Sequence, residues 1–78
     1  MTGVEVFPNP TNATLNIKGE NMRQIAIYNA DGQLVYLKDE EIADLHRVDV
    51  SRYAAGQYLV KIIFDNKQSI TKKIVVKH

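Results

Sequence analysis

Hydrophobic residues recur at every second position along most of this chain. Leu15 and Ile17 alternate with Thr14, Asn16 and Lys18, Ile25 and Ile27 with Gln24 and Ala26, and Val48 and Val50 with Arg47 and Asp49. The longest stripe is Tyr58, Val60, Ile62 and Phe64, with Lys61 on the other face. Successive side chains of an extended strand point to opposite faces, so this period commits the chain to sheet with one face buried. Turn-forming residues interrupt the stripes at short intervals, at Gly19-Glu20-Asn21, Asn29-Ala30-Asp31-Gly32, Ala55-Gly56 and Asp65-Asn66-Lys67. Asp31-Gly32 lies between Ile27-Tyr28 and Leu34-Val35 and marks a hairpin, because glycine accepts the positive φ of a tight turn. About seven strands are predicted, over roughly 4–7, 13–18, 23–29, 33–38, 46–51, 57–64 and 69–76. That number and spacing point to an all-β, antiparallel sandwich whose two sheets bury their apolar faces together. The segment Glu40–Leu45, with Ile42 and Leu45 three apart, is too short for a stable helix and allows at most a turn.

Two local patterns refine this reading. Pro8 and Pro10 have no backbone donor, so their segment is excluded from the middle of a sheet and must be an edge or a crossover between sheets. Tyr53-Ala54-Ala55-Gly56-Gln57-Tyr58 resembles the corner at which a sandwich strand begins after a turn, where a tyrosine hydroxyl bonds back to upstream backbone. Tyr58 is the candidate for that bond and Gly56 for the turn. At 78 residues the chain supports one core, burying only roughly 60% of the surface that the unfolded chain exposes. With no cysteine, neither a disulfide nor a thiolate metal site is available.

The same inventory argues against most chemistry. Ten basic and nine acidic residues leave a net charge of +1, which gives no electrostatic case for nucleic acid. No apolar run approaches the roughly 20 residues of a membrane-spanning helix. Met1-Thr2-Gly3 leads almost directly into Val4-Glu5-Val6-Phe7, so no secretory signal peptide is expected and the chain reads as a fragment of a larger protein. His46 and His78 have no spaced partner that would make a metal site. Asp39, Glu40, Glu41 and Asp44 lack the glycine and alternation of a calcium loop and read as a solvated acidic stretch. Ser51 and Ser69 sit in no nucleophile elbow, and no glycine-rich loop opens a helix. Asn12-Ala13-Thr14 matches a glycosylation sequon, a pattern too short to carry weight. No catalytic residue, metal ligand or cofactor is assigned. Tyr28, Tyr36, Tyr53 and Tyr58 could stack on sugars or bases, but aromatic residues within strand stripes more often pack in the core and between strands.

The final strand is distinctive. Gln68-Ser69-Ile70-Thr71-Lys72-Lys73-Ile74-Val75-Val76 has strong strand character, and four lysines (Lys67, Lys72, Lys73, Lys77) fall in this region without an acid. At a sheet edge its free N–H and C=O groups would pair with another protein, with the lysines restricting the choice of partner. The same edge allows exchange between copies, giving a strand-swapped homodimer.

Several motifs now fall in order along the chain. Phe7-Pro8-Asn9-Pro10-Thr11-Asn12 precedes Leu15 and Ile17, and Ile25-Ala26-Ile27-Tyr28-Asn29-Ala30-Asp31-Gly32-Gln33-Leu34-Val35 follows. Val48-Asp49-Val50-Ser51, Gly56-Gln57-Tyr58-Leu59-Val60-Lys61-Ile62 and Lys72-Lys73-Ile74-Val75-Val76-Lys77 complete the set. From Val6 to Lys77 the chain resembles the C-terminal sorting domain (Por secretion tail, type A) of type IX secretion system cargo from Bacteroidetes. It departs from the pattern at Ala13-Thr14, where the family often carries glycine or a small polar residue, and in His78 after the usual lysine ending. The resemblance implies an immunoglobulin-like β-sandwich and a non-enzymatic signal. It implies that cargo in transit through the periplasm is directed through the outer-membrane translocon, with shuttle proteins. The resemblance further implies that a surface cysteine-peptidase sortase then removes the domain and, as is common in the family, attaches the cargo to anionic lipopolysaccharide at the cell surface. Cleavage would fall N-terminal to the domain. On this resemblance Lys72, Lys73, Ile74, Val75, Val76 and Lys77 are the candidate recognition residues, whereas Pro8, Asn9, Pro10, Asp31, Gly32, Gly56 and Tyr58 shape the fold. A carbohydrate-binding or adhesive sandwich is the alternative, with a passive spacer behind it.

Overall fold

The computed structural model describes residues 3–78, with the side chains of residues 40–43 outside the description; Met1 and Thr2, at the start read as lacking a signal peptide, also lie outside it. Among the described residues every regular element is a strand: β1 (Val4–Phe7), β2 (Thr14–Asn29), β3 (Leu34–Asp49), β4 (Gly56–Phe64) and β5 (Ser69–Val76). All five belong to one antiparallel sheet in the order β1-β2-β4-β5, and β3 pairs with β2. The two long strands, β2 and β3, have 16 residues each and serve two layers. The first half of β2 pairs with β1 (Val4 opposite Gly19, Phe7 opposite Asn16) and with the end of β3 (Leu15 opposite Val48). Its second half pairs with the start of β3 (Ile27 opposite Tyr36) and with β4 (Ile25 opposite Ile62). The sheet therefore curls over on itself, an arrangement compatible with an immunoglobulin-like β-sandwich.

The predicted stripes and the observed strands differ in one respect. Stretches 13–18 and 23–29 are one strand, as are 33–38 and 46–51, so seven predicted segments become five elements. The turn expected at Gly19-Glu20-Asn21 is instead an irregularity inside β2, where the register with β3 shifts between Lys18 and Met22 and again before Gln24. Asn21 takes a φ of 56° there, and its N–H donates to Asp44 Oδ1 at 3.0 Å. A bulge raises local twist and bends a strand without ending it, so both long strands cross between layers while remaining paired. The backbone of Glu40–Leu45 is likewise extended within β3 and makes no helical turn.

The alternating stripes converge on one core. Leu15, Ile17 and Val48 from one layer meet Ile25, Ile27, Val60, Ile62, Phe64, Ile74 and Val76 from the other, with Val50 and Met22 completing it. Two turns close the hairpins on side-chain caps. Asn29 Oδ1 accepts from the N–H groups of Asp31 and Gln33 at 3.0 and 2.9 Å, and Gly32 sits at φ +84°. Asn66 Oδ1 accepts from the Gln68 N–H at 3.0 Å in the β4–β5 turn. Both are Asx turns, in which a short side chain replaces a backbone acceptor.

Candidate functional site

The terminal strand is built into the fold. Along one side β5 pairs with β4 from Gly56–Val76 to Ile63–Ser69. Alternation places Ile74 and Val76 in the core, both essentially inaccessible, while Lys72, Lys73 and Lys77 are exposed and Val75 is half-buried. The six candidate recognition residues thus divide into three solvent-facing cations, two core side chains and one intermediate. Of these six, the lysines and part of Val75 present side chains to a partner while the fold is intact.

Along the other side of β5 lies the proline-rich segment. Pro8 and Pro10 cannot donate, so a conventional backbone ladder is unavailable there. The Asn9 side chain substitutes for it: Nδ2 donates to the Lys73 carbonyl at 3.3 Å, and Oδ1 accepts from the Val75 N–H at 3.0 Å. Backbone pairing resumes at Thr11, whose N–H donates to the Val75 carbonyl and whose carbonyl accepts from the Lys77 N–H, both at 2.9 Å. Thr11 is buried, forms a parallel bridge with Val76, and its Oγ1 donates to the Thr14 carbonyl at 3.2 Å. Residues 8–11 are therefore a crossover from β1 to the rim of the second layer, covering the edge of β5 from Lys73 to Lys77. Sequence reading placed the prolines at an edge or crossover but missed Asn9 and Thr11 as the groups that hold the terminal strand. An asparagine flanked by two donor-less residues was the available signal.

The corner at the start of β4 supports the same end of the molecule. Tyr58 is buried and its hydroxyl donates to the Ala54 carbonyl at 2.6 Å. Gly56, at φ +151°, stands opposite Val76 in the ladder. Tyr53 packs on Tyr58 with ring centroids 5.5 Å apart, and its carbonyl lies 2.7 Å from His78 Nε2. Burial, with smaller contributions from Tyr36, Tyr58 and Asp49, raises the Tyr53 hydroxyl pKa above the ordinary tyrosine value. Tyr36 is raised by burial alone, and its hydroxyl lies 2.6 Å from His46 Nε2. Asp31 and Gly32 lie in the β2–β3 turn and bond to Asn29, with no hydrogen bond to Asn9 or β5 among the described residues.

These features define a class before they define a family: a small all-β module whose distinctive surface is a partly covered, basic strand edge. The chain matches the secretion system C-terminal sorting domain family over residues 5–77 and belongs to it. It is thus a C-terminal sorting signal of type IX secretion, which implies contact with the secretion machinery and export to the cell surface or beyond. Ulvan lyase NLR42 of Nonlabens ulvanivorans is 30% identical over 78 residues, an alignment that covers 96% of this chain and 15% of the lyase. The chain thus spans about 15% of the length of that curated relative. A sorting domain is a signal and not a catalyst, so the similarity extends to the export label and carries no lyase chemistry.

Proposed function

We propose that this chain is the C-terminal domain of a larger exported protein and delivers its periplasmic cargo to the outer-membrane translocon and its shuttle proteins through the basic edge of β5. After passage, a cysteine-peptidase sortase cuts N-terminal to the domain and joins the cargo to anionic lipopolysaccharide. The observation that carries this reading is a terminal strand packed into the fold by Ile74 and Val76 while it presents Lys72, Lys73 and Lys77 to solvent. A folded signal of this kind is read on its surface. Truncating Lys73–His78 would remove two core side chains, so loss of export in that deletion would report folding as much as recognition. Substituting the three exposed lysines separates the two.

The test is a localisation assay. Residues 1–78, behind a native upstream linker and a fluorescent reporter with an inner-membrane export signal, are expressed in a type IX-competent strain and in its translocon-deficient mutant. Export only in the competent strain is expected. Equal periplasmic retention in both, with the fusion intact and folded, overturns the reading and turns attention to a carbohydrate-binding module. Against that alternative, Tyr58 is buried and Tyr53 and Tyr36 are engaged with Tyr58 and His46 at interplanar angles of 42° and 52°, so these three form no flat stacking platform. Exchange of β5 between copies would require it to leave both β4 and the Asn9–Thr11 segment. Dimer in light scattering over a wide concentration range would support that exchange, and monomer throughout would dismiss it.

A further inference from the structure

The two halves of the outer β5 edge are not equivalent. From the Lys73 carbonyl to the Lys77 N–H, the outward-facing groups are taken by Asn9 and Thr11. Strand alternation turns the N–H and C=O of Thr71 outward in the same way, together with the Ser69 carbonyl and the Lys73 N–H. Among the described residues no hydrogen bond reaches these four groups, and β5 pairs with no strand but β4. An open edge of this length accepts a short added strand.

Its side chains dictate what that strand must carry. Lys72 and Lys73 are consecutive and exposed, so they stand on opposite faces of the sheet. Lys73 is opposite Leu59, Lys61 is opposite Thr71 on the same outer face, and Lys72 is opposite Val60 on the inner one. No acidic residue occurs from Asn66 to His78. An incoming strand in register with Thr71–Lys73 therefore meets a cation on each of its faces. A basic strand is repelled there and a neutral one gains nothing from the charges. A strand with two adjacent carboxylates is matched on both faces at once.

We propose that the Ser69–Lys73 edge of β5 is a docking site for an extended segment of the export machinery that carries a consecutive pair of acidic residues, added as one more strand. This deepens the sorting role and rests on it. The Asn9–Thr11 segment then acts as a stop: it blocks the edge beyond Lys73 and sets the register of the added strand.

The direct probe is a short, end-blocked peptide of alternating threonine and valine with a central Asp-Asp pair, titrated into the 78-residue chain and followed by amide NMR and hydrogen exchange. Slowed exchange at Thr71 and Lys73 is expected, with binding about fivefold tighter than for the same peptide carrying Lys-Lys, the effect of two weak cross-strand charge pairs. Thr71→Pro, which removes an outward N–H while leaving the bonds to β4, should abolish that protection. The doubly charge-reversed chain, Lys72→Glu with Lys73→Glu, should prefer the Lys-Lys peptide, and it supplies the answer if Thr71→Pro fails to fold. Equal binding of both peptides, or protection elsewhere on the chain, overturns the proposal. The export assay keeps the two levels apart. Failure of the unmodified fusion to leave the cell defeats the sorting role itself. Export of the unmodified and charge-reversed fusions to equal extent defeats the docking edge and leaves the sorting role standing.

Discussion

Replacing Asn9 by alanine tests whether the proline-rich segment holds the terminal strand. The substitution deletes two side-chain bonds to the β5 backbone, one of 3.0 Å from the Val75 N–H and one of 3.3 Å to the Lys73 carbonyl. A net hydrogen bond contributes about 0.5–1.5 kcal/mol. Both bonds are solvent-exposed, so each belongs in the lower half of that range, with the longer one at about 0.5 kcal/mol. A total loss of about 1–1.5 kcal/mol follows, equivalent to about 5–10 °C in Tm for a domain of this size. The backbone bonds of Thr11 remain, so the loss should be local as well as global. Val75 should exchange its amide proton about tenfold faster than global destabilisation alone requires, while Ile74, which faces β4, should follow the global value. Asn9→Asp retains the acceptor for Val75 and removes the donor to Lys73, and should show an intermediate loss with Val75 still protected. Thermal unfolding followed by circular dichroism, combined with native-state hydrogen exchange, measures all of these. A stability for Asn9→Ala within about 0.3 kcal/mol of the parent, with Val75 exchange unchanged, would refute the assignment of this segment as the clasp on β5.

Three further outcomes can be checked in the same material. Tyr58→Phe removes the 2.6 Å bond to the Ala54 carbonyl and should cost about 1–1.5 kcal/mol in urea unfolding, with the core otherwise unchanged. Gly56→Ala meets no atom within 4 Å, so any loss there is conformational; at φ +151° it should cost about 1–3 kcal/mol in the same titration, and a neutral result would contradict that backbone geometry. Asp49 accepts hydrogen bonds from the Ser51 side chain and backbone, which hold its pKa below the ordinary carboxylate value despite full exposure. Its folded pKa is depressed, so the stabilisation is present above the unfolded value and is lost as pH falls through the folded one. NMR titration of the Asp49 carboxyl should show the low midpoint, and Ser51→Ala should raise it.

The division between what was legible in the sequence and what was not follows from the range of the forces involved. Period-two alternation is local, and it identified the strand stripes and most of the core: Leu15, Ile17, Ile25, Ile27, Val48, Val50, Val60, Ile62 and Phe64 are all buried as the pattern implied. Donor-less prolines and an exposed Asp-Gly turn are local signals too, as is a tyrosine placed just after a glycine. Strand continuity is another matter. Gly19-Glu20-Asn21 reads as a turn in isolation, because nothing within those residues reveals that a neighbouring strand stays paired across them. The same limit hid the clasp on β5, since Asn9 and Val75 are separated by 66 residues and their bond exists only once both layers have closed. Sequence alone therefore determined which residues could be strand, which faces are apolar and that the end of the chain is basic. Only the tertiary structure decided that half of that terminal edge is already occupied and which few backbone groups remain open.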